Sequence, residues 1–242
     1  ILNAEHQIVS ITSANVYTIT SSIAANASDS GNGGAATDAA YQIHVGSSIE
    51  LPLVGWGAGT WGAGTWGNGA DSATALRLWD QSNFGQDLVF GYRGGPVYYW
   101  SATNGVSSDS ADLGVLLSSL TDASDVPTIQ NVIIVSDINR FVFCFGANTL
   151  GTTTQDPMLI RWSDQENAVN WTPSATNQAG SLQLSSGSEI VTARQARQAV
   201  LIWTDTAMYS LQYVGGQIVW GAQLIGENMS IASPNSVVYA NG

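Results

Sequence analysis

The residues in this chain best placed to do chemistry are carboxylates beside tryptophans. Asp80, Asp164 and Asp205 each follow an apolar stretch that reaches an indole, in "LRLWDQ" (76–81), "LIRWSDQ" (159–165) and "LIWTDT" (201–206). Together with Asp87 and Glu166 they are the acids a glycoside hydrolase would draw on. Such an enzyme needs one carboxyl to protonate the leaving oxygen and a second, at a set separation, to activate water or attack. However, Asp80, Asp164 and Asp205 recur at one place in a repeated pattern. That recurrence argues for turn formers whose carboxylates accept backbone N–H groups. No acid pair stands apart from the repeat as a catalytic couple would.

Other reactive groups are sparse. His6 and His44 are the two histidines, both in alternating strand-like patterns and far from the single cysteine. That spacing assembles no metal set and no catalytic base. Cys144 sits in the apolar run "RFVFCFG" (140–146); it has no disulfide partner and reads as a small buried hydrophobe. The chain has no nucleophile elbow, phosphate loop or zinc-protease motif. "GNGG" (31–34) lacks the lysine and helix of a phosphate loop and reads as a turn. The residues therefore suggest no catalytic, metal or cofactor site. Arg194 and Arg197, in "SEIVTARQARQA" (188–199), are expected on a strand or loop between blades, reaching acidic turns nearby.

The second unusual chemistry is aromatic. "GWGAGTWGAGTWG" (55–67) places Trp56, Trp61 and Trp66 five residues apart. Five fits neither the strand period of two nor the helix period of 3.6. A sugar-stacking loop, a linker, or a loop that folds against protein would all suit. Three indoles need cover that an isolated glycine-rich loop cannot supply, so they are taken as candidate protein-interface residues.

Composition narrows the class. Charged residues are 10% of the 242, against roughly 25% in ordinary globular proteins. Ser, Thr, Asn, Gln and Gly supply the polarity, which suits strands and turns. All six basic residues are arginine and eighteen are acidic, for a net charge of −12. A long-range grip on nucleic acid or an anionic membrane is disfavoured. No apolar run approaches the ~20 residues that span a bilayer. The chain opens in a strand-like pattern without methionine and closes on "SVVYANG" (236–242), so a fragment of a longer polypeptide is expected.

The elements that must position these residues fall into three stretches. Residues 1–50 read as a small β-rich platform piece, with strands at 7–20 and 41–46. Residues 51–75 are the Gly/Trp-rich connection. From 76 to 242 the chain repeats: Trp162 and Trp203 lie 41 residues apart, and Trp79 and Trp162 lie 83 apart. "YRGGPVYYW" (92–100) and "YVGGQIVW" (213–220) share a Gly-Gly turn leading into a strand that ends in Trp. Short antiparallel strands at a period near 40 are the mark of β-propeller blades. The expected fold is all-β, with an incomplete propeller following the platform. Trp79, Trp100, Trp162, Trp203 and Trp220 are the candidate inter-blade packing residues. A pair of β-sandwiches would explain the strands but not the repeat.

Several of these segments, in this order, resemble the tail nozzle, or tail tubular protein B, family of short-tailed bacteriophages. The most specific are "LWDQSNFGQDL…GG…YYW" and "WSDQENAVNWTP"; the match over "HQIVSITSANVYTIT" is looser. The resemblance covers most of the chain. It implies a virion structural protein with propeller and platform domains and no enzymatic activity. It also implies a hexameric ring with the tail adaptor and tail fibres as partners, assembled in the host cytoplasm, through which DNA passes without specific binding. Two other readings remain open: a carbohydrate-binding propeller acting in receptor recognition, and a capsid scaffold or decoration protein.

Overall fold

The computed structural model describes residues 8–13, 16–20, 77–103, 114–137, 139–216 and 218–238. The chain divides into two compact units, Ile1–Ala39 and Ala40–Gly242. In the first, β1 (Ile8–Ser13) and β2 (Val16–Ile19) form an antiparallel hairpin. Ser10 and Thr18 meet across it with their hydroxyls 2.6 Å apart. The expected strand at 41–46 and the connection at 51–75 lie outside the described residues.

The second unit is all-β apart from a 3-10 turn at Leu117–Ser119 among the described residues. The first sheet runs β3 (Trp79–Phe84), β4 (Asp87–Tyr92), β5 (Val97–Trp100) and β6 (Val115–Leu116). The second runs β7 (Val132–Val135), β8 (Val142–Phe145), β9 (Leu159–Trp162) and β10 (Gly180–Gln183). The third runs β11 (Ile190–Gln195), β12 (Val200–Thr204), β13 (Ala207–Tyr213) and β14 (Trp220–Glu227). In every sheet each strand pairs antiparallel with the one before it in sequence. A four-stranded meander of this kind is how a propeller blade is built.

The three sheets stack, with the second in the middle. Its strands "VIIV" and "VFCF" are buried at every position, as continuous apolar runs must be when both faces of a sheet are covered. Alternate residues serve two cores. Val132, Ile134, Phe143, Phe145, Ile160 and Trp162 face the third sheet. Ile133, Val135, Val142 and Cys144 face Val89, Val97 and the half-buried Phe84 and Tyr99 of the first. The leading strands also touch in series, β3 packing on β7 and β7 on β11. In a propeller these would be the strands nearest the axis.

Two expectations are corrected. The first concerns "WDQSNF", which reads as an indole followed by a polar turn but forms the whole of β3. Its turn comes later, at Gly85–Gln86, where Phe84 pairs with Asp87 across a two-residue loop and Gly85 takes φ +70°. Glycine in the first loop position suits such a hairpin. The edge strand tolerates polar residues because alternate side chains face solvent while the backbone ladder stays satisfied. The second correction is the phase of the repeat. The Trp-Asp segments fall on strand one of the first sheet, strand three of the second and strand two of the third. The Tyr-x-Gly-Gly turns join strands two and three of the first sheet, but strands three and four of the third. What recurs is a three-strand meander, and it is out of register with the sheets.

Candidate functional site: the inter-sheet seam and the polar cluster at the leading strands

The seam between the second and third sheets is built from rings. Trp220, first residue of β14, is 2% exposed. Its indole meets Phe143 edge-on at 4.8 Å between centroids and Phe141 at 5.5 Å. Tyr213, its cross-strand neighbour, adds a third edge contact at 5.4 Å. Trp162 lies in the same core, and its Nε1 donates to the Gln178 carbonyl at 2.8 Å. The ring lies so close over Gly180 that a Cβ there would come within 2.6 Å of it. Edge-to-face pairs of this kind each add about 0.5–1.5 kcal/mol beyond the area they bury.

The other candidate tryptophans are placed differently. Trp79 is 36% exposed and packs within its own sheet, on Tyr92 at 5.4 Å and Phe90 at 6.2 Å. Trp100 ends β5 half-buried. Trp203, half-buried on β12, pairs in register with Thr192 and Met208. It therefore shares the face of the third sheet opposite Ile202 and Tyr209, turned away from the seam. Trp56, Trp61 and Trp66 lie outside the described residues, as do His6 and His44.

Asp164 and Asp205 sit in turns and work as acceptors. Asp164 Oδ1 accepts from the backbone N–H groups of Gln165 at 2.9 Å and Gln178 at 2.8 Å. Asp205 accepts from Ser188 twice, at 2.8 Å from N–H and 2.6 Å from the hydroxyl. The Ser188 hydroxyl, followed by its amide, holds the Asp205 carboxyl below the usual range. Asp87 is occupied in the same way, accepting from the Tyr99 hydroxyl and, at 2.8 Å, from Ala102 N–H.

Asp80 departs from this pattern. It is the second residue of β3, within the strand rather than in a turn, because the ladder to Gly91 runs through it. Burial raises its carboxyl to about 6, with the charges of Arg194 and then Arg93 pulling the other way. Around it the leading ends of all three sheets meet. Arg93, in the β4–β5 turn, donates from Nη1 to the Val191 carbonyl on β11 at 2.9 Å and lies 3.7 Å from Glu189. One side chain of the first sheet thus reaches the third. The same turn pairs with the segment entering β7: Gly94 N–H donates to Gln130 O at 2.7 Å, and Gln130 N–H to Gly95 O at 3.1 Å. The Gln130 amide adds a bond to Tyr92 O at 3.0 Å. Gly91 has no room for a side chain, since a Cβ would fall within 2.9 Å of Pro96 O, Ile133 and Gln130.

Arg194 answers the expectation that it would reach an acidic turn with a different arrangement. Its guanidinium donates to Pro234 O at 2.9 Å, to Val237 O at 3.3 Å and to Asn235 Oδ1 at 3.3 Å. The stretch that follows β14 is thereby held beside β11, a leading strand. Arg197 is exposed.

Two residues went unremarked in the sequence and matter here. Arg161 of β9 is 1% exposed and forms an ion pair with Asp125 at 2.8 Å, also donating to the carbonyls of Asp125 and Asn148. A lone arginine inside "LIRW" was the available signal for a buried pair. Trp171 is 1% exposed, with its Nε1 donating to Ala168 O at 2.7 Å. Cys144 is fully buried, and burial pushes its thiol up. Among the described residues no group of three His, Cys, Asp or Glu side chains is placed to hold a metal ion.

No protein-family model and no curated protein matches the chain. Nor is any helix among the described residues long and apolar enough to cross a membrane.

Proposed function

We propose that this chain is a non-enzymatic structural component of a tailed-phage virion, a tail nozzle or tail-tube protein that assembles side by side around a channel for DNA. The observation that carries the reading is a coincidence of two features. The segments that resemble the nozzle family, 76–100, 159–191 and 200–216, touch all three blade-like sheets in sequence order, and the leading strands of those sheets pack in series. Sheets packed through a ring-filled seam on one side and a polar, hydrogen-bonded contact on the other provide rigid building blocks, and a ring of such blocks leaves an axial opening. Net charge supports the conduit role. Each basic contact to a phosphate adds salt-sensitive affinity, and a chain at −12 without lysine supplies few of them.

On this reading the protein assembles as a homo-oligomer, with a hexamer as the expected ring. Its partners are the tail adaptor and tail fibre proteins; it resides in the virion and performs no catalysis. Light scattering combined with negative-stain electron microscopy tests it on the protein expressed from its full reading frame. Rings with an axial hole are expected. Particles of single-chain mass at every concentration would overturn the proposal.

A further inference from the structure

A polar cleft of about 460 Å³ opens between β3 and the turn that joins β7 to β8, lined by Gln81, Ser82, Asn83, Ser136, Asp137 and Arg140 over the buried Val135. Its size is that of a small-molecule site. Trp79, Gln81 and Asn83 alternate along β3, so they share one face, and all three are exposed. The indole continues the row of amides beyond the end of the cleft.

Two bonds hold the described residues of the walls. Val135 N–H donates to the Ser82 hydroxyl at 3.0 Å, locking the first sheet to the second beneath the cleft. Ser136 N–H donates to Phe141 O at 2.8 Å and closes the turn. Within it Asn139 and Arg140 take φ of +61° and +44°. Consecutive left-handed residues are a common way to close a tight hairpin, and they set the direction in which Arg140 leaves the turn. Glu166, itself at φ +53°, donates its N–H to Asn139 O at 3.3 Å and lies 4.0 Å from the Arg140 guanidinium. That pair is well exposed, so it holds Arg140 weakly and can yield it to a ligand at little cost.

We propose that this cleft and the Trp79 ring bind a neutral oligosaccharide. The chemistry selects that class. Planar amides, a carboxylate and a guanidinium lining one cleft suit neighbouring hydroxyls, which both donate and accept. An exposed indole offers an apolar face to the C–H side of a sugar ring. An anionic ligand is disfavoured, because Asp137 and Glu166 outnumber Arg140 locally and the chain carries −12. A metal ion is disfavoured by a lining with one carboxylate. The inference stands apart from the tail-protein reading and does not depend on it.

The test is calorimetric titration of the full chain with maltohexaose, cellohexaose and chitohexaose, and with dextran sulfate as an anionic control. Saturable binding of at least one neutral hexasaccharide is expected. Trp79→Ala and Asn83→Ala should each weaken it about tenfold, the size of one lost stack or hydrogen bond. Trp203→Ala, on the third sheet, should leave it unchanged. Melting curves establish that each variant is folded; Asn83 is exposed and its loss disturbs no core. The proposal is overturned if none of the three neutral sugars binds, if binding ignores both β3 substitutions, or if dextran sulfate binds more tightly than every neutral sugar.

Discussion

Toward the third sheet the central sheet presents Phe143, Phe145, Ile160 and Trp162, which meet Tyr209, Leu211 and Trp220 in a seam dominated by rings and aliphatic side chains, with Asn131 Nδ2 donating to Ile190 O at 3.4 Å beside it. Toward the first sheet it presents Ile133, Val135, Val142 and Cys144. That second contact is threaded with polar bonds: Val135 to Ser82, Gln130 to Tyr92, and Arg161 to Asp125 nearby. The same four strands therefore use two strategies. The ring-filled side draws its stability from area and edge contacts, which are strong and tolerant of small shifts. The polar side gains less per contact, because each bond replaces one to water, but it fixes distance and angle. That is where β3 packs on β7 and where the cleft lies.

The comparison can be broken most forcefully at the seam. Phe143→Ala removes a ring that touches Trp220, Trp162 and Phe145. A loss of about 3–5 kcal/mol is expected, read as a fall in urea midpoint. Ile133→Val on the other face should cost only about 0.5–1.5 kcal/mol. A loss below about 2 kcal/mol for Phe143→Ala would show that the ring contacts of the seam contribute less than their burial implies.

Asp125→Ala comes next. It strands the buried Arg161 charge and also removes the acceptor of Gly151 N–H at 3.1 Å. Breaking a buried pair this way costs about 3 kcal/mol. Arg161→Met, which removes the charge and leaves an apolar side chain, should cost less than Asp125→Ala. The reverse order would show that the guanidinium's packing, rather than its pairing, holds the loop.

Asp80 gives a smaller effect with a pH signature. Its folded carboxyl titrates near 6, above the ordinary 3.8, because burial disfavours the charged form more than Arg194 and Arg93 favour it. Between those values the folded state binds the extra proton, so stability falls as pH rises toward 6 and stays lower above it. The upper bound on the penalty is about 3 kcal/mol, and partial solvent contact reduces it to about 1–2 kcal/mol. Asp80→Asn should therefore raise the melting temperature at pH 8 and flatten its dependence between pH 4 and 6. A variant that melts lower at pH 8 would assign Asp80 a net attractive role between the two arginines.

What could be read from sequence follows the same division. "NVIIVS" and "RFVFCFG" announce β7 and β8 because fully buried strands need uninterrupted apolar runs, and the Gly-Gly turns announce themselves by residue type. β3 hides in the sequence because an edge strand is held by its backbone ladder, leaving "WDQSNF" free to look like a turn. The phase of the repeat was hidden for a related reason: a three-strand meander is locally stable wherever it falls in a sheet, so its period does not mark sheet boundaries. The bond from Arg93 to the Val191 carbonyl joins residues 98 positions apart, and Arg194 acts on Asp80 through its charge. No local pattern could have paired them.

The smallest effect is the sharpest test of whether the polar side acts through geometry or through charge. Arg93 makes two contacts, a bond to the Val191 carbonyl at 2.9 Å and a looser approach to Glu189 at 3.7 Å. Glu189 is half exposed there, where ion pairs contribute about 0–1 kcal/mol and salt screens them. Glu189→Gln should therefore change stability by less than about 0.5 kcal/mol, with the difference vanishing in high salt. Arg93→Ala also removes the carbonyl bond that joins the first sheet to the third, and should cost more at every salt concentration. If Glu189→Gln matched Arg93→Ala in low salt and both recovered in high salt, charge would be what joins the leading strands. If the two separate as expected, the bond to Val191 does the joining and the carboxylate only accompanies it.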